Sequence, residues 1–195
     1  MDLTIAIAED RVSDLLGLLS PSFKVKVRAG VDLKSFVCDQ LGVQTAYFEN
    51  RIQTLFLDSK PVDDVETATL NDGSVLALSA AMPGLVGATF RKGGRYSQLR
   101  KSISYQAEAG GTEKKQGWVT LKLFNLVLKE LGPGFLERGV WVPGKQVKDF
   151  FEKMPPEIRR HIRSLTLEGE TISPEALTEA VPGGAEVFIR VGVHH

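Results

Sequence analysis

The chain has 195 residues, no net charge, 43% hydrophobic residues and 25% charged residues, a composition typical of one or two globular domains. The N-terminus lacks a secretory signal, and no apolar run approaches the roughly 20 residues that cross a bilayer, so we expect a cytoplasmic protein. A single cysteine, Cys38, excludes an internal disulfide and a cysteine-based zinc cluster, and three scattered histidines predict no metal site and no cofactor.

The first half of the chain is predicted to alternate strands with amphipathic helices. Asp32 is placed to cap a helix with Leu33, Phe36, Val37 and Leu41 on one face. A second helix is predicted over 11–19, and the alternation of apolar residues predicts strands over 3–7, 23–28, 53–57, 60–65 and 74–79.

Two apolar stripes predict the helices of the second half. Leu123, Val127, Leu128 and Leu131 form the first stripe, which we expect Gly132 and Pro133 to end. The second stripe consists of Val147, Phe150, Phe151 and Met154, and Pro155 with Pro156 should end it.

The two halves align as an internal repeat. RIQTLFLDSKPV (51–62) aligns without gaps on HIRSLTLEGETI (161–172), and AGVDLKSFV (29–37) aligns on PGKQVKDFF (143–151), which pairs Phe36 with Phe150. LTIAI (3–7) matches VTLKL (119–123), and GSVLAL (73–78) matches GAEVFI (184–189), which the second copy reaches with one residue more. Because the order of elements is preserved, we predict one small α+β unit, a mixed sheet wrapped over a helix, repeated twice.

Charge divides the chain into three segments. Residues 1–81 carry 7 basic and 12 acidic residues, 82–117 carry 7 and 2, and 118–195 carry 10 and 10. We therefore predict a first domain over 1–81, a basic, glycine-containing connecting segment over 82–117, and a second domain over 118–195.

This succession of elements resembles the β-grasp, ubiquitin-like sulfur carriers of the MoaD/ThiS family. The resemblance covers most of 118–192, through VTLKLFNLVLKELG, VWVPGKQVKDFFEKMP, SLTLEGETIS and PGGAEVFIRVG, and it extends to residues 3–80 by the repeat. It implies two β-grasp domains. In such carriers a flexible Gly-Gly tail is adenylated by a partner enzyme and converted to a thiocarboxylate, so the resemblance implies an adenylating or sulfur-transfer enzyme as partner.

The Gly-Gly pair of this chain, however, lies in the connecting segment. Gly93 and Gly94 would form a carrier tail only if the chain were cut after Gly94, whereas the second copy ends with Gly192 followed by Val193 and two histidines. Alternatively, Arg91, Lys92, Gly93, Gly94 and Arg95 can form an anion-binding nest, or a plain solvated loop. Tyr96 would add stacking for a nucleotide or single-stranded nucleic acid, although nucleic acid is not the favoured partner.

No recognisable catalytic constellation emerges from the sequence, so we predict a protein that is not an enzyme. The favoured function is that of a protein-binding or scaffold module. A sulfur carrier, or a carrier precursor processed after Gly94, is the alternative, and anion binding through 91–101 is a third. Exposed sheet edges also lead us to expect that the chain can form a homodimer.

Overall fold

A computed structural model describes residues 1–80, 89–92, 94, 104–105 and 115–194. The fold is mixed α+β, as the sequence predicts, and the chain divides into two compact units. Unit 1 comprises Met1–Phe23 and Leu128–His195, and unit 2 comprises Lys24–Val127. None of the helices in the described ranges is long and apolar enough to cross a membrane.

Unit 2 contains a five-stranded mixed sheet and a separate two-stranded ladder. The sheet has the order β2-β8-β7-β4-β5, in which β7 and β8 are parallel and β4 is antiparallel to both β5 and β7. The strands are β2 (Phe23–Arg28), β4 (Thr54–Leu57), β5 (Lys60–Pro61), β7 (Val75–Ser79) and β8 (Gln116–Phe124), and the ladder pairs β3 (Val31–Asp32) with β6 (Thr69–Leu70).

The core of unit 2 lies between this sheet and a helical segment. An α-helical turn over Leu33–Ser35 continues as a π-helical turn over Phe36–Gln40, and a second helix covers Thr45–Asn50. The predicted cap is confirmed, because an Asp32 carboxylate oxygen accepts the Ser35 amide hydrogen bond at 2.8 Å. Fully buried leucines on one face of β4, β7 and β8 complete the core with the buried Leu33, Phe36 and Val37 of the helical segment.

Unit 1 also contains a five-stranded mixed sheet, with the order β11-β10-β1-β12-β9. Strand β1 is parallel to β12 and antiparallel to β10, and β9 is antiparallel to β12. The strands are β1 (Asp2–Ala8), β9 (Val140–Pro143), β10 (Ile162–Leu167), β11 (Glu170–Thr171) and β12 (Glu186–His194).

One helix organises the packing of unit 1. The helix over Gly144–Glu152 packs on β9, on β12, on a 3₁₀ helix over Glu9–Leu19 and on a helix over Pro174–Ala180. Gln146 ties it to the end of the 3₁₀ helix, because its amide nitrogen donates to the carbonyls of Leu18 and Ser22 at 2.7 and 3.0 Å. A short helix over Pro156–Arg159 follows, and a helix over Asn125–Arg138 leads the chain from unit 2 into unit 1.

Two aligned segments form hairpin turns of the same geometry. The turn between β4 and β5 places Asp58 and Ser59 at φ values of 50° and 68°, and the aligned turn places Glu168 and Gly169 at 50° and 87°. An equivalent hydrogen bond closes each hairpin, from the Val62 amide to the Leu55 carbonyl at 2.9 Å in unit 2 and between the aligned Ile172 and Leu165 at 3.0 Å in unit 1. Two consecutive positive φ values are the geometry of a tight two-residue hairpin loop.

Two details of the helix predictions are wrong. Gly132 and Pro133 do not end a helix, which instead runs from Asn125 to Arg138. The burial of Phe135 and Leu136, at 3% and 0% exposure, compensates for the amide hydrogen bond that a proline removes.

Phe36 and Phe150 are not equivalent either. Phe36 is fully buried, whereas Phe150 is half-buried and the next residue, Phe151, takes the core position. The flanking aligned pairs, Leu33 with Val147 and Val37 with Phe151, are buried in both units, so the two helices share a core face and differ at its edge, where Phe150 lies.

The compact units do not divide the chain where the predicted domains do, since unit 1 includes both the first strand and the 3₁₀ helix of the first copy. The first strand of each copy lies in the sheet that holds the rest of the other copy, since β1 belongs to unit 1 and β8 to unit 2. Most of the predicted connecting segment, 82–117, lies outside the described residues.

Candidate functional site

The candidate site lies on the outer face of the unit 2 sheet, opposite the core. Alternate side chains of a strand point to opposite faces, so the buried leucines of β4, β7 and β8 fix where their neighbours lie. Because Leu76 and Leu78 face the core, Val75, Ala77 and Ser79 belong to the outer face of β7. Thr54 and Phe56 of β4, and Lys122 and Phe124 of β8, join them.

These residues surround a hollow of about 460 Å³, which we call the β4–β7–β8 hollow. Half of its lining side chains are apolar, and the other half are polar but almost all uncharged. The apolar ones are Phe56, Val75, Ala77, Phe90 and Phe124; the polar ones are Thr54, Ser59, Ser79, Lys122 and Asn125.

The strand register explains the shape of the hollow. Ala77 is the Cα partner of Phe56 on one side and of Lys122 on the other, so a methyl group lies between two long side chains. Phe90 stands beside Phe56, with ring centroids 5.4 Å apart and planes at 50°. The two rings form one wall, and the small Ala77 side chain leaves the space in the middle.

The opposite wall depends on a sharp change of direction after β8. Asn125 has a φ of 51°, a left-handed conformation that asparagine adopts more readily than most residues, and it joins β8 directly to the following helix. The turn leaves Phe124 and Leu126 at 47% and 44% exposure. Among the described residues these are the two large hydrophobic side chains that stand out as exposed.

Two polar groups give the hollow its chemical character. Lys122 is the one charged residue in the lining, and in the described parts of the chain no hydrogen-bond or ion-pair partner of its ammonium group is found. Thr54 is only 1% exposed, and its Oγ1 finds no hydrogen-bond partner among the residues that the structure describes. In the strand register, Thr54, Ser79 and Phe124 form one row across the sheet, and Phe56, Ala77 and Lys122 form the next. The hydroxyl-bearing Thr54 and Ser79 make the base of the Thr54–Ser79–Phe124 row the more polar of the two.

The predicted Gly-Gly site is described only in part, since Gly93 and Arg95 lie outside the described residues. The Lys92 amide donates to the Gln53 carbonyl at 2.7 Å, and the Gly94 amide donates to the Arg91 carbonyl at 3.0 Å. The Lys92 ammonium lies 4.7 Å from the centroid of the Phe48 ring, and burial lowers the pKa of this lysine. The anion-site and carrier-tail hypotheses stay predictions.

A larger hollow of about 730 Å³ lies elsewhere on unit 2, and several of its polar groups already bind one another. Asp32 accepts hydrogen bonds from the Ser35 amide and hydroxyl, and Gln40 exchanges two hydrogen bonds with the Arg28 backbone at 2.8 and 2.9 Å. Partial burial would raise the pKa of Asp32, but the bonds from Ser35 outweigh it and the pKa lies below its usual value.

Unit 1 has a groove of about 500 Å³ beside Phe150. The ring of Phe150 covers Gly17, where a Cβ atom would lie only 2.8 Å from it. On the rim, a 2.6 Å hydrogen bond between Lys145 and Asp149 raises the pKa of the lysine and lowers that of the aspartate. Lys145 of this groove therefore has a partner, whereas no partner of Lys122 is found among the described residues.

Sequence pattern alone does not predict the β4–β7–β8 hollow. Strand alternation places Phe56, Ala77, Lys122 and Phe124 on outer faces, yet only the register brings them together. One signal was available: Phe56, Val75 and Ala77 are apolar at positions where a solvent-facing strand usually carries polar residues.

Comparison of the chain with protein-family models, with curated protein sequences and with solved structures gives no match. The hollow is therefore interpreted from its own geometry.

Proposed function

We propose that the chain is a non-catalytic, ubiquitin-like protein made of two β-grasp modules of the MoaD/ThiS type, and that it binds a protein partner through the β4–β7–β8 hollow. Three features support the β-grasp assignment: a mixed sheet with a central parallel pair in each unit, helices packed on one face, and a hairpin that recurs at aligned positions.

The observation that carries the binding proposal is the apolar character of the outer face around Ala77. Phe56, Phe90 and Phe124 surround it, and Phe124 and the neighbouring Leu126 are almost half exposed. Contiguous apolar surface with a polar surround marks interaction sites, and aromatic residues are enriched at protein interfaces.

The position of the hollow also limits how a partner binds. Both β7 and β8 have neighbours on each side in the sheet, so their backbone hydrogen-bonding groups are not open to an added strand. Recognition has to proceed through side chains that enter the hollow. Among the described lining residues Lys122 is the one cation, which does not favour nucleic acid, whose binding depends on several cations.

Filling the hollow tests the proposal. The full-length chain is used to capture proteins from its own host, and each captured protein is then purified and its Kd measured. Ala77→Leu should weaken binding by about tenfold or more, because the larger side chain fills the space that a side chain of the partner would enter. Ala176→Leu is the matched control, since it makes the same change at an exposed position of the helix Pro174–Ala180.

Phe124→Ser provides a second variant, which removes a wall of the hollow. If a purified partner binds Ala77→Leu and Phe124→Ser as tightly as it binds the unaltered chain, the hollow is not the binding surface and the proposal fails.

The binding proposal also requires the full-length chain to be the working species. A sulfur carrier would instead be cut after Gly94 and would carry sulfur on the new carboxylate. Intact-mass measurement of the protein from its own cells separates the two: we expect one uncut species, and a fragment ending at Gly94 with added sulfur would favour the carrier.

A further inference from the structure

We infer that the partner presents an apolar anchor side chain, preferably aromatic, with a carboxylate on the adjacent residue, and that Ala77 and Lys122 recognise this pair. This inference rests on the proposed function, because it specifies the chemistry of a partner bound in the β4–β7–β8 hollow.

The anchor side chain binds over the Phe56–Ala77–Lys122 row. Phe56 and Phe90 offer ring faces and edges to an incoming aromatic ring, and such pairs are favourable in tilted or edge-to-face arrangements. The Thr54–Ser79–Phe124 row is less suitable, because two hydroxyl-bearing side chains at 1% and 6% exposure form its base. A hollow of about 460 Å³ lies within the usual size range for a site that encloses a small group.

The carboxylate follows from Lys122. Neighbouring strands are about 4.8 Å apart, and Lys122 is the Cα partner of Ala77, so an acidic group next to the anchor reaches the ammonium group. Lys122 has no ion-pair partner in the described parts of the chain, and none of the residues lining the hollow is acidic. A partner with a basic residue beside its anchor would place two positive charges together.

Blocked dipeptides serve as probes of this recognition. Acetyl-Phe-Glu-amide is compared with acetyl-Phe-Gln-amide, acetyl-Phe-Lys-amide and acetyl-Ala-Glu-amide by titration of the isotope-labelled full chain, following the amide signals of Ala77 and Lys122. Such small ligands bind on the order of millimolar. We expect the Phe-Glu probe to bind best, the Phe-Gln probe about two- to fivefold more weakly, the Phe-Lys probe more weakly still, and the Ala-Glu probe not measurably.

Reversing the charge sharpens the test. Lys122→Glu should reverse the order of the Phe-Glu and Phe-Lys probes. Lys60→Glu is the matched control, because Lys60 is an exposed lysine of unit 2 outside the hollow, and it should leave the order unchanged. Raised salt should weaken the Phe-Glu probe more than the Phe-Gln probe.

The results distinguish this inference from the function on which it rests. If the three phenylalanine probes bind equally to the unaltered chain and to Lys122→Glu, selection of an acidic neighbour is overturned. If no probe shifts the Ala77 and Lys122 signals at concentrations on the order of 10 mM, the anchor is overturned as well. In both cases the effect of Ala77→Leu on a purified protein partner still decides the proposed function.

Discussion

The outer faces of the two sheets differ although aligned segments build them. In the alignment of 73–78 with 184–189, counted back from Leu78 and Ile189, the small Ala77 of unit 2 corresponds to Phe188 of unit 1. The Phe188 ring lies 5.2 Å from the Trp141 ring and covers Gly139, where a Cβ atom would clash with it. The aligned position is thus filled in unit 1 and hollow in unit 2.

On the aligned strands β4 and β10 the size difference is reversed, and the larger side chain belongs to unit 2. Phe56 of unit 2 aligns with Thr166 of unit 1. In unit 2, Phe56 stands directly beside Ala77, whereas in unit 1 strand β1 lies between β10 and β12. The comparison teaches that aligned segments do not by themselves make a site: the hollow depends on which strands are neighbours and on one small residue between large ones in the register.

The first prediction tests where the cores of the two units differ. Phe36→Ala should destabilise unit 2 by about 3–5 kcal/mol, because it leaves a cavity in a fully buried position. The aligned Phe150→Ala should destabilise unit 1 by only about 1–2 kcal/mol, since that ring is half-buried at the surface. Urea unfolding measures both.

Each unit contains one tryptophan, which lets the two be observed separately. Trp118 lies in unit 2 and Trp141 in unit 1, so variants that keep one of them report on one unit each. Equal losses for Phe36→Ala and Phe150→Ala would show that the two positions are equivalent after all.

The second prediction concerns the junction that exposes Phe124. Asn125→Val should destabilise the fold by about 1–2 kcal/mol, because a β-branched residue is strained at a φ of 51°. Asn125→Gly accepts this φ and serves as the control, with little change expected. The corresponding junction of unit 1, from Ala8 into Glu9, has no left-handed residue, so Glu9→Val should be far milder. Thermal unfolding compares the three variants.

The third prediction compares two aligned residues that hold their helices differently. Asp32 caps its own helix, whereas the aligned Gln146 ties its helix to the carbonyls of Leu18 and Ser22. Asp32→Ala should cost about 1 kcal/mol at neutral pH. The hydrogen bonds from Ser35 hold the pKa of Asp32 below its usual value despite partial burial, so its contribution is full above the unfolded pKa and is lost as pH falls through the folded pKa.

The pH dependence of stability distinguishes the charged Asp32 cap from the uncharged hydrogen bonds of Gln146. The stability difference between the unaltered chain and Asp32→Asn should shrink on acidification, whereas the loss caused by Gln146→Ala should stay constant with pH. A pH-independent difference for Asp32→Asn would contradict the role of the carboxylate charge.

The sequence was sufficient for features that depend on local pattern. Strict alternation of apolar residues predicts β2, and Asp32 followed by an apolar stripe predicts the capped helix; both are present. Features that depend on tertiary packing were not accessible. The helix through Pro133 persists because Phe135 and Leu136 are buried, and the π-helical turn at Phe36 has no local signature that we recognised.

The exchange of first strands could not be predicted for a related reason. LTIAI and VTLKL both supply an apolar strand, so local pattern does not decide which sheet each one joins. The hollow depends on that pairing, because β8 contributes Lys122 and Phe124 to a site otherwise built by the first copy.

The last prediction uses the difference at the second central position of the two aligned hairpin turns. Ser59 has a φ of 68° and Gly169 has a φ of 87°, so the same left-handed position carries a side chain in unit 2 and none in unit 1. Ser59→Gly should stabilise unit 2 by about 0.5 kcal/mol, because relief of backbone strain exceeds the added freedom of the unfolded chain. Gly169→Ser should destabilise unit 1 by a similar or slightly larger amount.

Asp58 is unsuitable for this test, since its carboxylate accepts the Val75 amide at 2.7 Å and the Ser74 hydroxyl at 3.2 Å. Unfolding midpoints read from Trp118 and Trp141 separately decide the outcome: a loss of stability in both variants would mean that the Ser59 side chain contributes a contact that outweighs its strain.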